Sequence, residues 1–341
     1  MDKYRVAIVG ATGLVGGEFI KVLEQRDFPI GSIQLFASDR SAGKKLLFNH
    51  TEYEVQETNT DSFHDVDIAF FSAGTDISKY FAPIAAQSGA VVIDNSAAFR
   101  MDGNVPLVVP EVNAADIKNH KGIIANPNCS TIQMVTALYP LHKTNSIKRI
   151  IVTTFQSVSG TGSAAVEELT TQSMQVLSGQ TAAPSVYPHQ IAFNTLPHID
   201  AFLDNAYTKE EWKMLEETRK IMHAEDMLVS ATCVRVPVFT SHSEAVNIEF
   251  TNPISSEEAR VILSQAPGVS ILDNPSTSLY PTPWMAAGTD ATYVGRIRQD
   301  VSCSNGLVMW IVSDNIRKGA ALNAVQIAEV MIKQNWINHG G

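Results

Sequence analysis

The chain has 341 residues, of which 45% are hydrophobic and 18% are charged, and its formal net charge is −10. This composition excludes a disordered chain, favours two domains over one at roughly 100–200 residues per domain, and argues against a basic nucleic-acid-binding protein. No apolar run reaches the ~18 residues that a membrane span needs, and the first residues lack the layout of a signal peptide. We therefore expect a cytoplasmic protein that binds neither nucleic acid nor membrane.

Short apolar strands alternate with helical patterns over the first 128 residues. A helix is predicted after the first strand, with Phe19, Val22 and Leu23 on one face, and a second helix is predicted over 76–88. The predicted strands are 5–9, 32–37, 66–71, 90–94 and 123–125. Alternation of this kind predicts an α/β fold, namely a doubly wound, mostly parallel, Rossmann-like sheet.

The pattern changes after Cys129, where the strands come with longer and less regular connections. Strands are predicted at 150–155, 231–238 and 246–250, which suggests an α+β domain whose sheet is covered on one face. A C-terminal helix with a broad apolar face is expected to dock back on the first domain. The predicted division is 1–128 plus 314–341 for nucleotide binding, and 129–313 for catalysis and dimerisation.

A glycine-rich loop connects the first strand to the first helix. Gly10, Gly13 and Gly16 allow backbone N–H groups at a helix N-terminus to approach a pyrophosphate closely. The alternative is a tight turn that needs a positive φ at one glycine. We expect a nucleotide here, bound by the loop residues Gly10, Thr12, Gly13, Leu14, Val15 and Gly16.

The residues after the second strand bear on the choice of nucleotide. An acidic residue there suits the ribose hydroxyl of NAD, whereas an arginine suits the 2′-phosphate of NADP. Asp39 and Arg40 are both present, so the pattern is ambiguous. Because Ser38 and Ser41 flank the pair, the segment favours NADP, with Arg40 as a solvated loop charge being the alternative.

Three widely spaced cysteines fit neither a disulfide framework nor a metal site. Cys129 lies between an apolar strand and a helical pattern, within the run Asn-Pro-Asn-Cys-Ser-Thr at 126–131. A helix N-terminus favours a thiolate, so Cys129 is a candidate nucleophile, although a small buried hydrophobe is the alternative. Cys233 suits core packing, and Cys303 stays unassigned.

A thiol beside a dinucleotide site predicts one chemistry in particular. A thiolate attacks an activated acyl group or an aldehyde, and the resulting adduct exchanges a hydride with nicotinamide. Such a site also needs an acid or base, for which histidine is the usual choice.

Four motifs occur together and in order. They are the glycine loop 10–16, the cysteine motif 126–131, the run Phe-Gln-Ser-Val-Ser-Gly-Thr-Gly at 155–162, and Arg-Val-Pro-Val at 235–238 followed by Ser241-His242. With these motifs the chain resembles the aspartate-β-semialdehyde dehydrogenase family, in its bacterial branch. The resemblance implies reduction of 4-phospho-L-aspartate by NADPH to L-aspartate 4-semialdehyde with release of phosphate, on the route to lysine, methionine and threonine.

The resemblance also implies residue roles. Cys129 is expected to form a thioester, His242 to act as the acid/base, and Gln156 to orient the acyl group. The expected substrate ligands are Asn128, Arg235 for the α-carboxylate, Glu210 for the α-amino group, and Lys213 with Arg100 for the phosphate. Ser159, Gly160 and Asn315 are expected to contact the cofactor, with turn chemistry as the alternative.

The residues themselves support these roles more weakly. Alternation along the strand 231–238 predicts that Val234 and Val236 fill the core while Arg235 points to the opposite face. Glu210 and Lys213 are three apart on a predicted helix over 209–224, where an ordinary solvated ion pair is the alternative.

Two other functions compete with this one. N-acetyl-γ-glutamyl-phosphate reductase is a related thiol-dependent enzyme, but its cysteine motif looks different. A noncatalytic dinucleotide-binding paralogue would have no reason to keep Cys129, Gln156, Arg235 and His242 together. The resemblance further implies a homodimer or a dimer of dimers.

Overall fold

The computed structural model describes residues 3–337, which form two α/β units. The strands are β1 Tyr4–Val9, β2 Ile30–Ala37, β3 Lys45–Phe48, β4 Thr51–Glu57, β5 Ile68–Phe71, β6 Val91–Asp94, β7 Ile123–Ala125, β8 Ile147–Gln156, β9 Leu228–Arg235, β10 His242–Phe250, β11 Val269–Ile271, β12 Thr292–Gln299 and β13 Gly306–Ser313. The helices are α1 Leu14–Gln25, α2 Thr75–Gln87, α3 Pro110–Asn113, α4 Cys129–Thr144, α5 Ser163–Leu177, α6 Lys209–Met222, α7 Ser256–Ser264, α8 Pro283–Ala286 and α9 Leu322–Lys333. None of the helices in this range is long and apolar enough to cross a bilayer.

The first unit is built on a seven-stranded sheet with the order β3-β4-β2-β1-β5-β6-β7. All neighbouring strands are parallel except β3 and β4, which form an antiparallel hairpin. One apolar layer packs α1 and α9 against the sheet, and a second layer packs α2 against it. The predicted doubly wound fold is therefore confirmed.

The turn between β1 and α1 explains two of its glycines. Gly10 has a φ of +85°, which L-residues rarely adopt. A Cβ on Gly16 would lie 2.1 Å from the Gly10 carbonyl oxygen, so only glycine allows α1 to start this close to the turn. The fold of this turn therefore requires both glycines, whether or not a nucleotide binds there.

The C-terminal helix belongs to the first unit, which contains the described residues up to Asn128 and from Ala320 onward. The buried Asn323 side chain donates hydrogen bonds to the Val108 carbonyl oxygen and to Asn126 Oδ1. The chain re-enters the first unit at Ala320, six residues after the predicted position 314. The difference arises because β13 ends at Ser313 and the segment that follows it still packs on the second unit.

The second unit, Cys129–Gly319, contains a six-stranded sheet with the order β11-β12-β13-β10-β8-β9. Along β8 and β10 buried and partly exposed residues alternate, and α4, α6 and α7 pack on the buried side. This arrangement confirms an α+β unit with one covered face.

Arg235 lies on the opposite face of β9 from Val234, as predicted, but the prediction of which face is buried is wrong. Ala231, Cys233 and Arg235 are the buried residues of this strand, whereas Thr232 and Val234 are partly or fully exposed. The helix α6 packs on the face of β9 that carries Ala231 and Cys233. Arg235 lies on this covered face, and no valine core forms on the other one.

Candidate active site

Cys129 is the first residue of α4, as the sequence predicts for a nucleophile at a helix start. It is partly accessible, which a nucleophile requires. A Cβ on Gly319 would lie 2.9 Å from the Cys129 Cβ, so this glycine allows the cysteine backbone to approach the turn that follows β13. Cys129 is therefore held by close backbone packing on one side and open on another.

Three predicted site residues lie at neighbouring strand ends of the second unit. Gln156 ends β8 and pairs with Arg235, which ends β9. His242 begins β10, whose next residue Ser243 pairs with Phe155 of β8. All three side chains are buried: Gln156 is 1% exposed, Arg235 4% and His242 0%. The sheet register thus brings together residues that are far apart in the sequence.

Gly160 marks the place where two of these side chains converge. A Cβ at this position would lie 3.1 Å from an Arg235 guanidinium nitrogen (Nη1) and 3.3 Å from His242 Nε2. A glycine is needed here because any side chain would fill the space in front of the guanidinium and the imidazole. The predicted cofactor residue Gly160 therefore borders the proposed catalytic groups.

Arg235 carries a buried positive charge whose polar groups are only partly satisfied. Nη1 donates to the Ser157 carbonyl oxygen at 2.6 Å, and the guanidinium lies over the Tyr187 ring at 5.9 Å. Within residues 3–337, Nε is buried without a hydrogen-bond partner and no carboxylate pairs with the side chain. A buried, incompletely paired guanidinium is well suited to bind a carboxylate ligand.

A chain of polar contacts runs from Gln156 to α6. Gln156 Nε2 donates to Glu210 Oε1 at 3.2 Å, and Lys213 Nζ donates to Glu210 Oε2 at 3.2 Å. Lys213 also donates to Asp200 Oδ2 at 2.8 Å. Glu210 is only 5% exposed, so the alternative of an ordinary solvated ion pair does not apply.

Asp200 is a site neighbour that sequence reasoning missed. Partial burial alone would raise the pKa of Asp200, but the hydrogen bonds from Lys213 and from the Ala201 backbone N–H, together with the positive charges of Lys213 and Lys209, outweigh burial and lower that pKa below its usual value. The sequence offered one signal, which is the short distance between Asp200 and the Glu210–Lys213 pair along the chain.

His242 is uncharged in this site. Burial, together with the nearby charge of Arg235, lowers its pKa to about 3. Nδ1 accepts a hydrogen bond from the Ser157 backbone N–H at 3.1 Å, and the Ser157 hydroxyl also lies 3.1 Å away. Nε2 is buried and, within residues 3–337, has no hydrogen-bond partner. Ser157 is the second residue that sequence reasoning missed, since it lies 85 positions from His242.

The predicted cofactor residues Ser159 and Asn315 lie beside this histidine. Both are buried, and Asn315 Nδ2 donates to Ser159 Oγ at 3.0 Å. Asn315 Oδ1 accepts the backbone N–H of Ser241 at 2.8 Å. Their side chains are therefore engaged within the second unit.

The residues that the sequence predicts to bind the nucleotide lie next to one another in the first unit. Thr12 Oγ1 donates to Ser41 Oγ at 3.3 Å, which joins the glycine loop to the turn that carries Ser38 and Arg40. Gly13 is the N-cap of α1 and no side chain caps this helix, so its first N–H groups are available to a phosphate.

Arg40 and its neighbour Asp39 differ in whether their side chains are hydrogen-bonded within the protein. The Asp39 carboxylate accepts the backbone N–H of Arg40 at 2.7 Å, whereas the Arg40 guanidinium makes no hydrogen bond or ion pair with any described residue. This arrangement suits a 2′-phosphate better than a ribose hydroxyl, because the arginine is the group left available. The residues present therefore fit NADP.

Two predicted substrate ligands lie in the first unit. Arg100 is buried, and its guanidinium donates to the backbone carbonyl oxygens of Asn95 and Asn126. Asn128, the last residue of this unit before α4, is 7% exposed. Arg100 thus holds the backbone that leads into the cysteine motif.

The other two cysteines are distinct from Cys129. Cys233 is fully buried, as predicted, and burial raises its pKa well above the usual range, so it remains a thiol. Cys303 is partly exposed in a turn and stays unassigned.

Comparisons with known proteins agree on one family. Two family models match, "Semialdehyde dehydrogenase, NAD binding domain" over residues 5–120 and "Semialdehyde dehydrogenase, dimerisation domain" over residues 138–318. The aspartate-semialdehyde dehydrogenase of Aquifex aeolicus is 57% identical over 338 residues, which cover 98% of this chain and 99% of that protein. That of Bacillus subtilis is 51% identical and covers 97% of this chain and 98% of that protein.

Solved structures agree with these relatives. The crystal structure of aspartate semialdehyde dehydrogenase II complexed with ASA from Vibrio cholerae is similar with a TM-score of 0.95 at 47% identity, covering 98% of this chain and 99% of that one. The aspartate semialdehyde dehydrogenase with NADP from Candida albicans is similar with a TM-score of 0.79 at 27% identity, covering 98% of this chain and 100% of that one.

Proposed function

The chain belongs to the aspartate-semialdehyde dehydrogenase family, and we propose that it reduces 4-phospho-L-aspartate to L-aspartate 4-semialdehyde with NADPH and releases phosphate. Neither alternative has support, because the similar proteins described above are aspartate-semialdehyde dehydrogenases. The observation that carries the proposal is the convergence of Arg235 and His242 at Gly160, beside the Gln156–Glu210 contact.

Cys129 is the proposed nucleophile. Its thiolate adds to the acyl carbon, and collapse of the tetrahedral adduct breaks the bond between carbon and the phosphate oxygen and leaves a thioester. The position at the start of α4 supports this role, because the helix N-terminus stabilises negative charge on sulfur. Bound NADPH would supply the hydride that converts the thioester to a thiohemiacetal anion. Breakage of the carbon–sulfur bond then releases the aldehyde and regenerates the thiolate.

Polar side chains of the second unit are proposed to orient the substrate. Arg235 pairs with the α-carboxylate, and Glu210 accepts hydrogen bonds from the α-amino group. Gln156 orients the acyl group, and its hydrogen bond to Glu210 links the two ends of the bound substrate. His242 is the proposed acid/base beside the reacting carbon.

The phosphate ligands are proposed to be Lys213 and Arg100, with Asn128 contacting the substrate. Lys213 is already paired with Glu210 and Asp200, so phosphate has to compete with a carboxylate for its ammonium group.

NADP is the cofactor, held at its phosphates by the glycine loop and at its 2′-phosphate by Arg40 with Ser38 and Ser41. Ser159, Gly160 and Asn315 are also proposed to contact the cofactor. Because the Ser159 and Asn315 side chains are hydrogen-bonded to each other, these contacts would come from backbone groups.

The test is the phosphate-dependent reduction of NADP with L-aspartate 4-semialdehyde, measured for the wild type and for Cys129→Ala. We expect turnover in the wild type, no measurable turnover in the variant, and unchanged NADPH binding by fluorescence in both. Cys233→Ala is the matched control, because this thiol is buried in the core, and it should keep its activity. Turnover of Cys129→Ala at the wild-type rate would refute the mechanism.

A homodimer and a cytoplasmic location complete the proposal. Partly exposed apolar side chains of the uncovered sheet face, among them Ile151, Phe155 and Trp310, supply a surface for a second copy. The alternative is a dimer of dimers, and sedimentation velocity would distinguish a dimer from this tetramer. The cytoplasm fits a mechanism that needs a reduced thiol.

A further inference from the structure

The segment 183–196 runs over the surface of the second unit between α5 and Arg235. It consists of irregular backbone, and most of its side chains are exposed. At its end Leu196 and Arg235 exchange two backbone hydrogen bonds, with nitrogen-to-oxygen distances of 2.9 and 2.8 Å. Because a surface segment without regular structure finds few partners in its own backbone, other groups have to fix the rest of it.

Two side chains of α5 supply that support. Glu168 and Gln172 lie one turn apart on the same side of the helix and are only 6% and 1% exposed. The Glu168 carboxylate accepts the backbone N–H of Ser185 at 3.0 Å and that of Val186 at 2.6 Å. A buried carboxylate is costly unless it is hydrogen-bonded, so Glu168 and the segment stabilise each other.

Gln172 fixes the second half of the segment. Its Oε1 accepts the backbone N–H groups of Ile191 at 2.9 Å and of Ala192 at 3.2 Å. Its Nε2 donates to Glu168 Oε1 at 2.8 Å and to the Ala183 carbonyl oxygen at 3.1 Å. Ile191 and Ala192 also pack in a small apolar cluster with α5. The segment is therefore anchored on both sides of position 187.

Tyr187 lies between these two anchors and contacts Arg235. Its ring packs against the same apolar cluster and lies under the Arg235 guanidinium, 5.9 Å from the guanidinium carbon. Its hydroxyl donates to Thr161 Oγ1 at 2.9 Å. Thr161 ends the short helical turn that follows Ser157, whose carbonyl oxygen accepts from Arg235. Tyr187 and Arg235 are thus attached to each other and to one turn.

The contacts of Arg235 leave one edge of its guanidinium open. Nη1 donates to the Ser157 carbonyl oxygen at 2.6 Å, whereas Nε is buried and has no hydrogen-bond partner in the described part of the chain. Nε and Nη2 form one of the two edges through which a guanidinium binds a carboxylate with two parallel hydrogen bonds. This edge can serve a substrate only while the guanidinium keeps its present plane.

We propose that Tyr187 is a positioning residue that fixes the plane of the Arg235 guanidinium, so that the Nε–Nη2 edge binds the α-carboxylate of the substrate. Glu168 and Gln172 act one step further back, because they fix the segment that carries Tyr187. The inference rests on the proposed function and deepens it, since it makes the segment 183–196 a determinant of specificity for aldehydes that carry a carboxylate. Because Tyr187 acts through Arg235, its loss should affect substrate binding more than the chemical step.

The experiment measures the steady-state kinetics of the full-length protein in the phosphate-dependent reduction of NADP with L-aspartate 4-semialdehyde. Tyr187→Leu removes the ring and keeps an apolar side chain, and Tyr187→Phe removes only the hydroxyl group. Tyr139→Leu is the matched control. The Tyr139 ring also lies 5.9 Å from a cation, that of Lys143, but it is about 15 Å along α4 from Cys129.

In Tyr187→Leu the KM for the semialdehyde should rise about five- to thirtyfold, because the guanidinium loses the aromatic face that orients it. The kcat and the KM values for phosphate and NADP should stay within about threefold of the wild type. Tyr187→Phe keeps the ring, so the KM for the semialdehyde should rise at most about fivefold. Tyr139→Leu should match the wild type.

A second comparison separates positioning from general damage to the site. Arg235→Lys keeps the positive charge and loses the planar fork, so no plane is left for Tyr187 to fix. In that background Tyr187→Leu should change the KM for the semialdehyde by less than about twofold, since the effects of two residues that act as a unit do not add.

Glu168→Gln tests the anchor and leaves Tyr187 and Arg235 in place. An amide group accepts hydrogen bonds through only one of its two polar atoms, so one backbone N–H of the segment loses its acceptor. Amide hydrogen exchange over 183–192, followed by mass spectrometry, should become about tenfold faster or more. The KM for the semialdehyde should rise about two- to tenfold, in the same direction as in Tyr187→Leu.

An unchanged KM for the semialdehyde in Tyr187→Leu, or equal effects of this substitution in the wild-type and Arg235→Lys backgrounds, would overturn the inference. Wild-type exchange over 183–192 in Glu168→Gln, or faster exchange there at a wild-type KM, would overturn the role of the anchor. Failure of the proposed function is distinguishable, because the wild type itself would then reduce no NADP with the semialdehyde and phosphate.

Discussion

Gly160 offers a sharp test of the site geometry, because one added methyl group touches both Arg235 and His242. In Gly160→Ala the new Cβ would lie 3.1 Å from Arg235 Nη1 and 3.3 Å from His242 Cε1 and Nε2. Ordinary contact begins near 3.4 Å, so the guanidinium has to shift by at least 0.3 Å and the imidazole by at least 0.1 Å. Unstrained packing at about 3.8 Å would need shifts of about 0.7 Å for the guanidinium and about 0.5 Å for the imidazole.

The magnitude follows from these displacements. A misplacement of about 1 Å costs a catalytic group roughly a hundredfold in rate, so shifts of about half that size predict a loss of kcat of about tenfold. The KM for the semialdehyde should rise severalfold, because the Arg235 guanidinium moves. The free energy of unfolding should change by less than about 2 kcal/mol, since overpacking is partly offset by the reduced entropy of the unfolded chain.

The assay is the phosphate-dependent reduction of NADP at saturating and limiting semialdehyde, with urea denaturation as the measure of stability. Gly103→Ala is the matched control, because its Cβ meets nothing within 4 Å, and it should behave as the wild type. Wild-type kcat and KM in a stable Gly160→Ala protein would refute the reasoning that the reacting groups lie in front of Arg235 and His242.

Three further predictions concern ionisable side chains. Arg40→Ala should raise the KM for NADP about tenfold or more and leave the KM for NAD unchanged, whereas an equal effect on both would exclude Arg40 as the 2′-phosphate ligand. Asp200→Asn removes one carboxylate from Lys213, so the KM for phosphate should fall about two- to fivefold, and a rise would contradict the proposed competition. Because the folded pKa of His242 is lowered to about 3, the unfolded chain binds its proton first as the pH falls below about 6.5, and stability falls with it. His242→Gln should therefore be less sensitive to acid by about 2–3 kcal/mol between pH 7 and pH 4.5, as measured by urea denaturation, and an unchanged acid sensitivity would contradict the buried neutral ring.

The continuous apolar strands of the first sheet could be predicted from the sequence, whereas the hairpin of β3 and β4 could not. The strands β1, β5 and β6 are continuous apolar runs because both of their faces are covered. The hairpin of β3 and β4 lies at the sheet edge and alternates charged with apolar residues, as in the Lys45–Glu52 ion pair across it. Solvent exposure removes the apolar signal there, so the hairpin was missed.

In the candidate site, the residues that belong to local sequence motifs were easier to predict than the contacts between residues that lie far apart in the chain. A cysteine at a helix start and glycines after a strand are local patterns, and the structure has both in the expected elements. The contact between Ser157 and His242 depends instead on the register of β8 against β10 and on the turn after β8, which no local pattern specifies. The error about which face of β9 is buried has the same origin, because packing of the helices, and not alternation along the strand, decides which face is covered.

The structure also explains how an acidic chain can bind an anionic substrate. Arg235 is neutralised by no carboxylate of the described residues, and it is held by the Ser157 carbonyl oxygen and the Tyr187 ring, so its charge remains fully available to an incoming carboxylate. Lys213 is instead bound to two carboxylates before any phosphate arrives. In the proposed assignment, a substrate carboxylate meets an uncompensated buried charge at Arg235, whereas phosphate has to displace an existing ion pair at Lys213. This assignment predicts that the carboxylate contact contributes more affinity than the phosphate contact, and that phosphate leaves the site readily once the thioester has formed.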